Sequence, residues 1–461
     1  MEPLGAVAAL VFEFEADRRG IETVFDAPYS RVRRERLGLL LDMWKARVEG
    51  LSWDDLSPAE CADAALLDIH LDGERAQLDA DAGRFSEVAS LCPFAEDMVS
   101  LLDQRRLLED LEPSFAADRL DRARQNADAL AREAETEAPA SRGVVLRSAR
   151  LLRDLKKALD DWYAFYCGYD PAFTWWTKQP YEALGKSLEA CAEALDKSVR
   201  GGDPSAIVGD PVGRETLMAA LDVALTPYTP EELIAIGERE ARWCRDEMLR
   251  AAQDMGVGDD WRAAMERVKE DHVPPGEQTR LVRDLAREAI AFVEERDLIT
   301  VPELARDGWR MEMMSPERQK VNPFFLGGEC IIVSYPTADM EHHDKLMSMR
   351  GNNRHFSRAT VHHELIPGHF LQHFSQQRYR PHRRIFDTPF WTEGWSLYWE
   401  MRLWDLGFPR TPEERLGMLF WRMHRAARVV FSLRFHLGEM TARECVEMLV
   451  NEVGHERATA E

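Results

Sequence analysis

The sequence predicts a mainly α-helical protein, a large multi-helix fold with one small β-sheet element near residues 329–335. Three features predict it: repeated helix-start signals, a long stretch of Leu, Ala, Arg and acidic residues at helical spacing, and a scarcity of strand-like runs. Thr229, Pro230 and Glu232 make the first start signal. It combines a capping threonine, a proline at the first helical position and a glutamate three residues after the cap. The helix they open can run to Gly256, a residue suited to the left-handed stop. Thr411, Pro412 and Glu414 repeat the signal, and Thr441 with Glu444 gives another. Residues 101–166 carry the helical spacing, interrupted near 138–143 by Pro139, Ser141 and Gly143. The clearest strand is 329–335, an apolar, β-branched run between Gly327-Gly328 and Pro336. A single strand makes no sheet, so it needs a partner elsewhere in the chain.

At 461 residues the chain is long enough for about three domains of ordinary size or one large one. Residues 201–211 are loop-like and fit a separator between two helical layers. Lys and Arg number 59 against 82 Asp and Glu, a net charge of -23. Nucleic-acid binding through phosphate neutralisation needs the opposite balance, and so does a polybasic hold on anionic lipid. Hydrophobic residues at 45% supply an ordinary core and exclude wholesale disorder. No run of about 18 apolar residues is present to span a bilayer. The apolar start of the chain carries Glu2 where a secretory signal needs Lys or Arg, and it ends at Glu13. The seven cysteines are widely spaced and form no CxxC, as expected of free thiols in a reducing compartment. A cytoplasmic location is the expectation.

Histidine is the informative residue. Of 13, seven fall between His342 and His373, and the densest text is HHELIPGH, from His362 to His369. A His-Glu step on a helix followed by a second His follows the logic of the HExxH zinc site, where two imidazoles bind the metal and the Glu polarises a water. The interval here is longer. On an unbroken helix His363 and His369 differ by about 600° of rotation and roughly 9 Å of rise, so they diverge. Pro367 cannot donate to the carbonyl of His363, and Gly368 tolerates unusual backbone angles. A bulge or break there brings His369 back. The third ligand is expected from the segment FWTEGWSLYWE, where Glu393 and Glu400 stand two helical turns apart on one face. Glu393 suits the metal. Glu400 suits the layer behind it, orienting a ligand imidazole, and His362 either does likewise or caps local backbone.

HELIPGHFLQ (His363–Gln372) and EGWSLYWE (Glu393–Glu400) resemble the paired motifs of the bacterial "domain of unknown function 885" proteins, HExxPGH(H)LQ and EGWxLYxE. The second also resembles the glutamate-ligand helix of the gluzincin aminopeptidases. The resemblance extends from about Trp162 to the end of the chain and is weaker before it. It suggests an N-terminal helical region at 1–160 and a helical catalytic region at 161–461, or one continuous domain. It implies a mostly helical zinc-metallopeptidase-like fold holding one zinc ion, with His363, His369 and Glu393 as ligands and Glu364 as general base. Relatives often carry a second His where this chain has Phe370, which leaves His369 as the distal imidazole. Relatives also continue past the position of Glu461 with a Tyr-bearing segment, whereas this chain stops inside an apparent helix, 444–461.

The expected activity is zinc-dependent hydrolysis of a peptide or a small acylated amino compound, with neither nucleic acid nor membrane as partner. Three other readings compete. A catalytically inactive helical scaffold could use the metal structurally, but such a site has no use for Glu364. A His-Asp metal phosphohydrolase could be built on His342, His343 and Asp344. A di-iron bundle needs two Glu-x-x-His pairs, of which Glu452 with His455 is one. His369 with His373 is an easier pair on a straight helix, though it misplaces Glu364. Arg350, Arg354 and Arg358 would share a face on one helix, either solvated or ready for a substrate carboxylate. Tyr335, Tyr379 and Tyr398 are candidate oxyanion donors, and the strand at 329–335 is a candidate edge for an extended substrate. Trp162, Trp175, Trp176, Phe324, Phe325, Trp395, Trp399, Trp404, Phe420 and Trp421 are expected mostly in the core.

Overall fold

A computed structural model describes residues 5–27, 29–201, 203, 206–319 and 324–461. Glu2 and part of the 201–211 segment lie outside the described residues. The chain forms two compact units, Met1–Val212 and Gly213–Glu461. Among the described residues no helix is long and apolar enough to cross a membrane.

The first unit contains α1 (Ala6–Val24), α2 (Arg31–Glu49), α3 (Pro58–Leu91), α4 (Phe94–Arg106), α5 (Pro113–Thr136), α6 (Arg142–Tyr166) and α7 (Pro171–Arg200). Proline opens α3, α5 and α7, where its missing N–H costs nothing. Its core follows sequence spacing. Leu120, Ala123, Ala127 and Leu130 form one stripe of α5, and Leu184, Leu188, Cys191 and Leu195 form one of α7. These stripes recur every three or four residues, so each helix turns one apolar face inward. Leu152, Leu155 and Leu159 of α6 close the layer. Trp162 is wholly buried there, edge-on to Phe173 at 5.1 Å. α7 packs on α5 and α6 within this unit, and the division between the two units falls at 212/213. Trp175 and Trp176 depart from the expected core, with 83% and 51% of their surface exposed at the start of α7.

The second unit contains α8 (Arg214–Val223), α9 (Pro230–Asp254), α10 (Trp261–Glu270), α11 (Gln278–Glu295), α12 (Glu303–Gly308), α13 (Pro316–Gln319), α14 (His342–Gly351), α15 (Arg354–Glu364), α16 (His369–Gln376), α17 (Pro389–Asp405), α18 (Pro412–His436), α19 (Ala442–Met448) and α20 (Arg457–Ala460). The capping box at Thr229 opens α9 as its residues predict, and Gly256 just beyond its end takes φ +72. Strand β1 (Met311–Met313) pairs in parallel with β2 (Ile331–Val333), and Leu326 bridges the other side of Ile332. β2 is shorter than 329–335 because the Gln319 side chain takes the Tyr335 N–H and the Ser334 hydroxyl, each at 3.1 Å. The expected helix over 444–461 is likewise interrupted: Gly454, at φ +93, separates a π-helical turn at Leu449–Val453 from α20.

Helix α18 is the axis of this unit, packed against α9 on one side and α15 on another. Close crossings require small residues. A Cβ on Gly417 would lie 2.4 Å from the carbonyl oxygen of His355, so α18 and α15 touch backbone to backbone there. Phe356 stacks on Phe420 at 4.0 Å beside that contact, and the Trp421 indole donates to the Phe356 carbonyl at 3.1 Å. Residues 356–364 of α15 are all buried, so its polar members must find partners inside the protein.

Gly417→Ala tests this crossing. On an open helix the change would stabilise by about 1 kcal/mol. Here the methyl group meets backbone, and overpacking should destabilise by about 1–3 kcal/mol. The urea midpoint should fall with the slope unchanged; an equal or higher midpoint would show that the helices do not approach so closely.

Candidate metal centre

The histidine motif lies on a broken helix. α15 ends at Glu364 and α16 starts at His369, with Leu365 at φ -107, ψ -103 and Gly368 at φ -79, ψ -139 between them. Proline at 367 removes one donor, and the Gly368 N–H reaches back to the carbonyl of His362 at 3.1 Å. Only glycine fits there, since a Cβ on Gly368 would sit 1.8 Å from the carbonyl oxygen of His363. The interruption leaves carbonyls without helical partners, and α17 supplies donors. Ser396 Oγ donates to the His363 carbonyl at 3.0 Å, and Trp395 Nε1 donates to the Pro367 carbonyl at 2.9 Å. Leu365, Ile366, Phe370 and Leu371 anchor the break in an apolar cluster with Ile331 and Val333 of β2. Phe370 faces that cluster, so the neighbour of His369 serves packing.

The break turns His369 toward His363, with ring centroids 4.7 Å apart and planes at 86°. One donor atom from each of His363, His369 and Glu393 lies within 4.8 Å of the others. Nε2 of His363 is 3.5 Å from one Glu393 oxygen, and Nε2 of His369 is 3.7 Å from the other. Donors held about 2.0–2.2 Å from one tetrahedral ion would stand roughly 3.3–3.6 Å apart. The set of two imidazoles and a carboxylate, at this spacing, fits a divalent zinc-like ion. His373 does not join the group. Glu393 is the open member, with 62% of its side chain exposed.

Behind the donors lies a charged layer. Glu400 Oε1 is 2.6 Å from Nδ1 of His363. An ionised carboxylate only accepts, so Nδ1 carries the proton and Nε2 is left facing Glu393. Arg425, on α18, donates to Glu400 through Nη2 at 2.6 Å and Nε at 3.0 Å. Burial alone would raise Glu400, but Arg425 and His363 hold it well below the usual carboxylate range. Glu393 is held down to about 2, chiefly by its hydrogen bond with His363. Burial and Arg425 press on His363, yet Glu400 and Glu393 outweigh them and raise its pKa. Burial pushes His369 down to about 4. Glu364 is pushed up to about 7, first by burial and then by Glu393 and Glu400. Glu364, Glu393 and Glu400 thus surround one guanidinium and the His363 imidazole.

Other expected residues fall elsewhere. His362 is fully buried edge-on to Phe408, with no hydrogen bond on either nitrogen. Burial holds it neutral, its pKa down to about 3, and it does not orient a ligand imidazole. Arg350, Arg354 and Arg358 do not share a helix, because Asn353 caps α15 after α14 has ended. They pair with Glu266 and Glu270, with Asp271, and with Glu288, respectively, and none is left for a substrate carboxylate. His343 and Asp344 pair with each other on the surface. Glu452 pairs with Arg245 while His455 contacts His424, so no di-iron arrangement forms from them. β2 has neighbours on both sides at Ile332, which closes it to an added strand there. Gly327 approaches Glu364 closely: a Cβ there would lie 2.0 Å from a Glu364 oxygen. Tyr379 and Tyr398 are exposed.

The model of a family described as bacterial protein of unknown function (DUF885) matches residues 30–461. The chain belongs to this family. Its match starts well before Trp162, so the family pattern covers both units. Two solved structures share the fold of this family member. One, from Shewanella oneidensis and described as a candidate lipoprotein of unknown function, gives a TM-score of 0.69 at 16% identity over 99% of this chain and 88% of that one. The other, a candidate lipoprotein from Colwellia psychrerythraea, gives 0.57 at 13% identity over 98% and 87%. Comparison with curated proteins yields no match.

The raised Glu364 pKa makes a stability prediction for metal-free protein. Below the ordinary carboxylate pKa near 4.5 the group is protonated whether folded or unfolded and costs nothing. As pH rises from there through about 7 the folded state keeps its proton and stability is lost, on the order of 3 kcal/mol in total. Glu364→Gln should therefore match wild type near pH 4 in chelator and melt higher at pH 8. Parallel melting curves across that range would place Glu364 in water instead.

Proposed function

We propose that the chain is a zinc-dependent hydrolase, a peptidase or amidase that cleaves peptide or acyl-amino bonds. The observation that carries this reading is a trio of donors from His363, His369 and Glu393 within 4.8 Å, beside a buried carboxylate, Glu364, that is not one of them. A structural site closes all its positions with protein ligands, whereas a catalytic one keeps a position for water. Here the third donor is solvent-facing. Bound zinc would supply Lewis-acid polarisation of a carbonyl and a water acidified toward roughly pKa 7.

The chain's own residues do the rest. Glu364, with its pKa raised toward neutrality, takes the proton of the attacking water and returns it to the departing amine. Glu400 fixes the His363 tautomer, and Arg425 keeps Glu400 ionised. Gly327, having no Cβ, lets its backbone approach the Glu364 carboxylate closely. Phe390, three residues before Glu393 and half exposed, shares its helix face and offers an apolar contact to a substrate side chain.

We also propose a cytoplasmic location, supported by seven unpaired cysteines. The lipoprotein description of the two structural neighbours favours a membrane-attached alternative, and cell fractionation separates the two.

The test is metal analysis joined to hydrolysis of short blocked and unblocked peptides, with and without chelator. Wild-type protein should carry about one zinc per chain and lose turnover in chelator. Glu364→Gln should keep the metal while turnover falls by at least about a hundredfold. Glu393→Ala should lose most of the metal. A metal-loaded wild type with no turnover on any peptide would favour a structural role for the site.

A further inference from the structure

In the first unit α2, α3 and α6 enclose a cavity of about 400 Å³, a volume typical of small-molecule sites. Its lining differs from the rest of this acidic chain. Five arginines face it, against one acidic residue, Asp81. Two of the five are committed: Arg33 to Glu22, and Arg147 to Asp210 and Glu87. Arg84 has only a distant partner, Asp81 at 4.0 Å. Arg34 and Arg150 make no ion pair and no side-chain hydrogen bond among the described residues. Cations that lack protein partners in a concave site are available to an anion, and the planar guanidinium fork suits carboxylate or phosphate oxygens.

A second observation specifies what accompanies the anionic group. Tyr29 takes φ +62, a left-handed conformation that a residue with a bulky side chain seldom adopts. In it the Tyr29 ring stacks on Phe85, with centroids 5.2 Å apart and planes at 17°. Both rings line the same cavity as the free arginines. The ring remains partly exposed, so a further planar group can lie against it. Asp154, which hydrogen-bonds Tyr29, and Asp81 offset part of the positive charge; they favour a ligand of low charge over a polyanion.

We infer that this cavity binds a small organic anion consisting of a planar ring and one carboxylate or phosphate group, the ring on Tyr29 and the anion between Arg34 and Arg150. The inference does not depend on the metal centre.

The experiment is calorimetric titration of the full chain with phenyl phosphate, benzoate, inorganic phosphate and phenol, all in chelator so that a metal cannot supply the signal. Phenyl phosphate or benzoate should bind saturably, and whichever binds more tightly identifies the anionic group. Inorganic phosphate should bind more weakly and phenol not at all. The Arg34→Ala, Arg150→Ala double variant should weaken binding by about tenfold or more. Tyr29→Ala should abolish the preference for phenyl phosphate over inorganic phosphate. Asp81→Asn, which removes charge without removing contacts, should strengthen binding and serves if the double variant does not fold. Absence of saturable binding by wild-type protein to both ring-bearing anions overturns the inference, as does affinity unchanged in Asp81→Asn and in a folded double variant.

Discussion

The candidate centre depends on how a broken helix satisfies its own backbone. A helix interrupted inside a protein strands carbonyls away from water, and such groups are costly unless paired. Here the pairing comes from α17. Ser396 takes the His363 carbonyl and Trp395 takes the Pro367 carbonyl. The same helix, three residues earlier, carries Glu393. One set of hydrogen bonds therefore fixes the interruption, docks α17, and sets the third donor opposite the two imidazoles. The apolar cluster around Leu365 and Ile366 holds the break from the other side.

Electrostatics is the second constraint, and it is centred on Glu400. That carboxylate is buried among His363 and Arg425, and alone it would be strongly destabilising. Its two partners reach it from α15 and α18, so the charge layer and the helix crossing at Gly417 reinforce each other.

Much of this was legible in the residues. Pro367-Gly368 marks a helix break by missing donor and permissive backbone, and the six-residue histidine interval makes sense only with that break. Glu393 and Glu400 share a face because they stand seven residues apart on one helix. Arg425 was not legible. It is 25 residues beyond Glu400, on a helix whose place is set by packing, and nothing in local spacing marks it. Gly327 reads as a turn residue until its contact with Glu364 is seen. Asn353 is a readable cap, and it separates Arg350 from Arg354 and Arg358 despite their regular spacing. His362 is next to His363 in sequence, yet on a helix adjacent residues face about 100° apart, and it packs edge-on to Phe408.

The exposure of Glu393 has a kinetic consequence. The two imidazoles are buried and preset by the break, while the carboxylate opposite them is wetted. An ion arriving from solvent would meet this arm first, shed water stepwise, and be handed inward to fixed nitrogens. On the proposed function, departure would run the same route in reverse, and the rate at which a competing chelator strips the site would follow this one side chain more than opening of the surrounding helices.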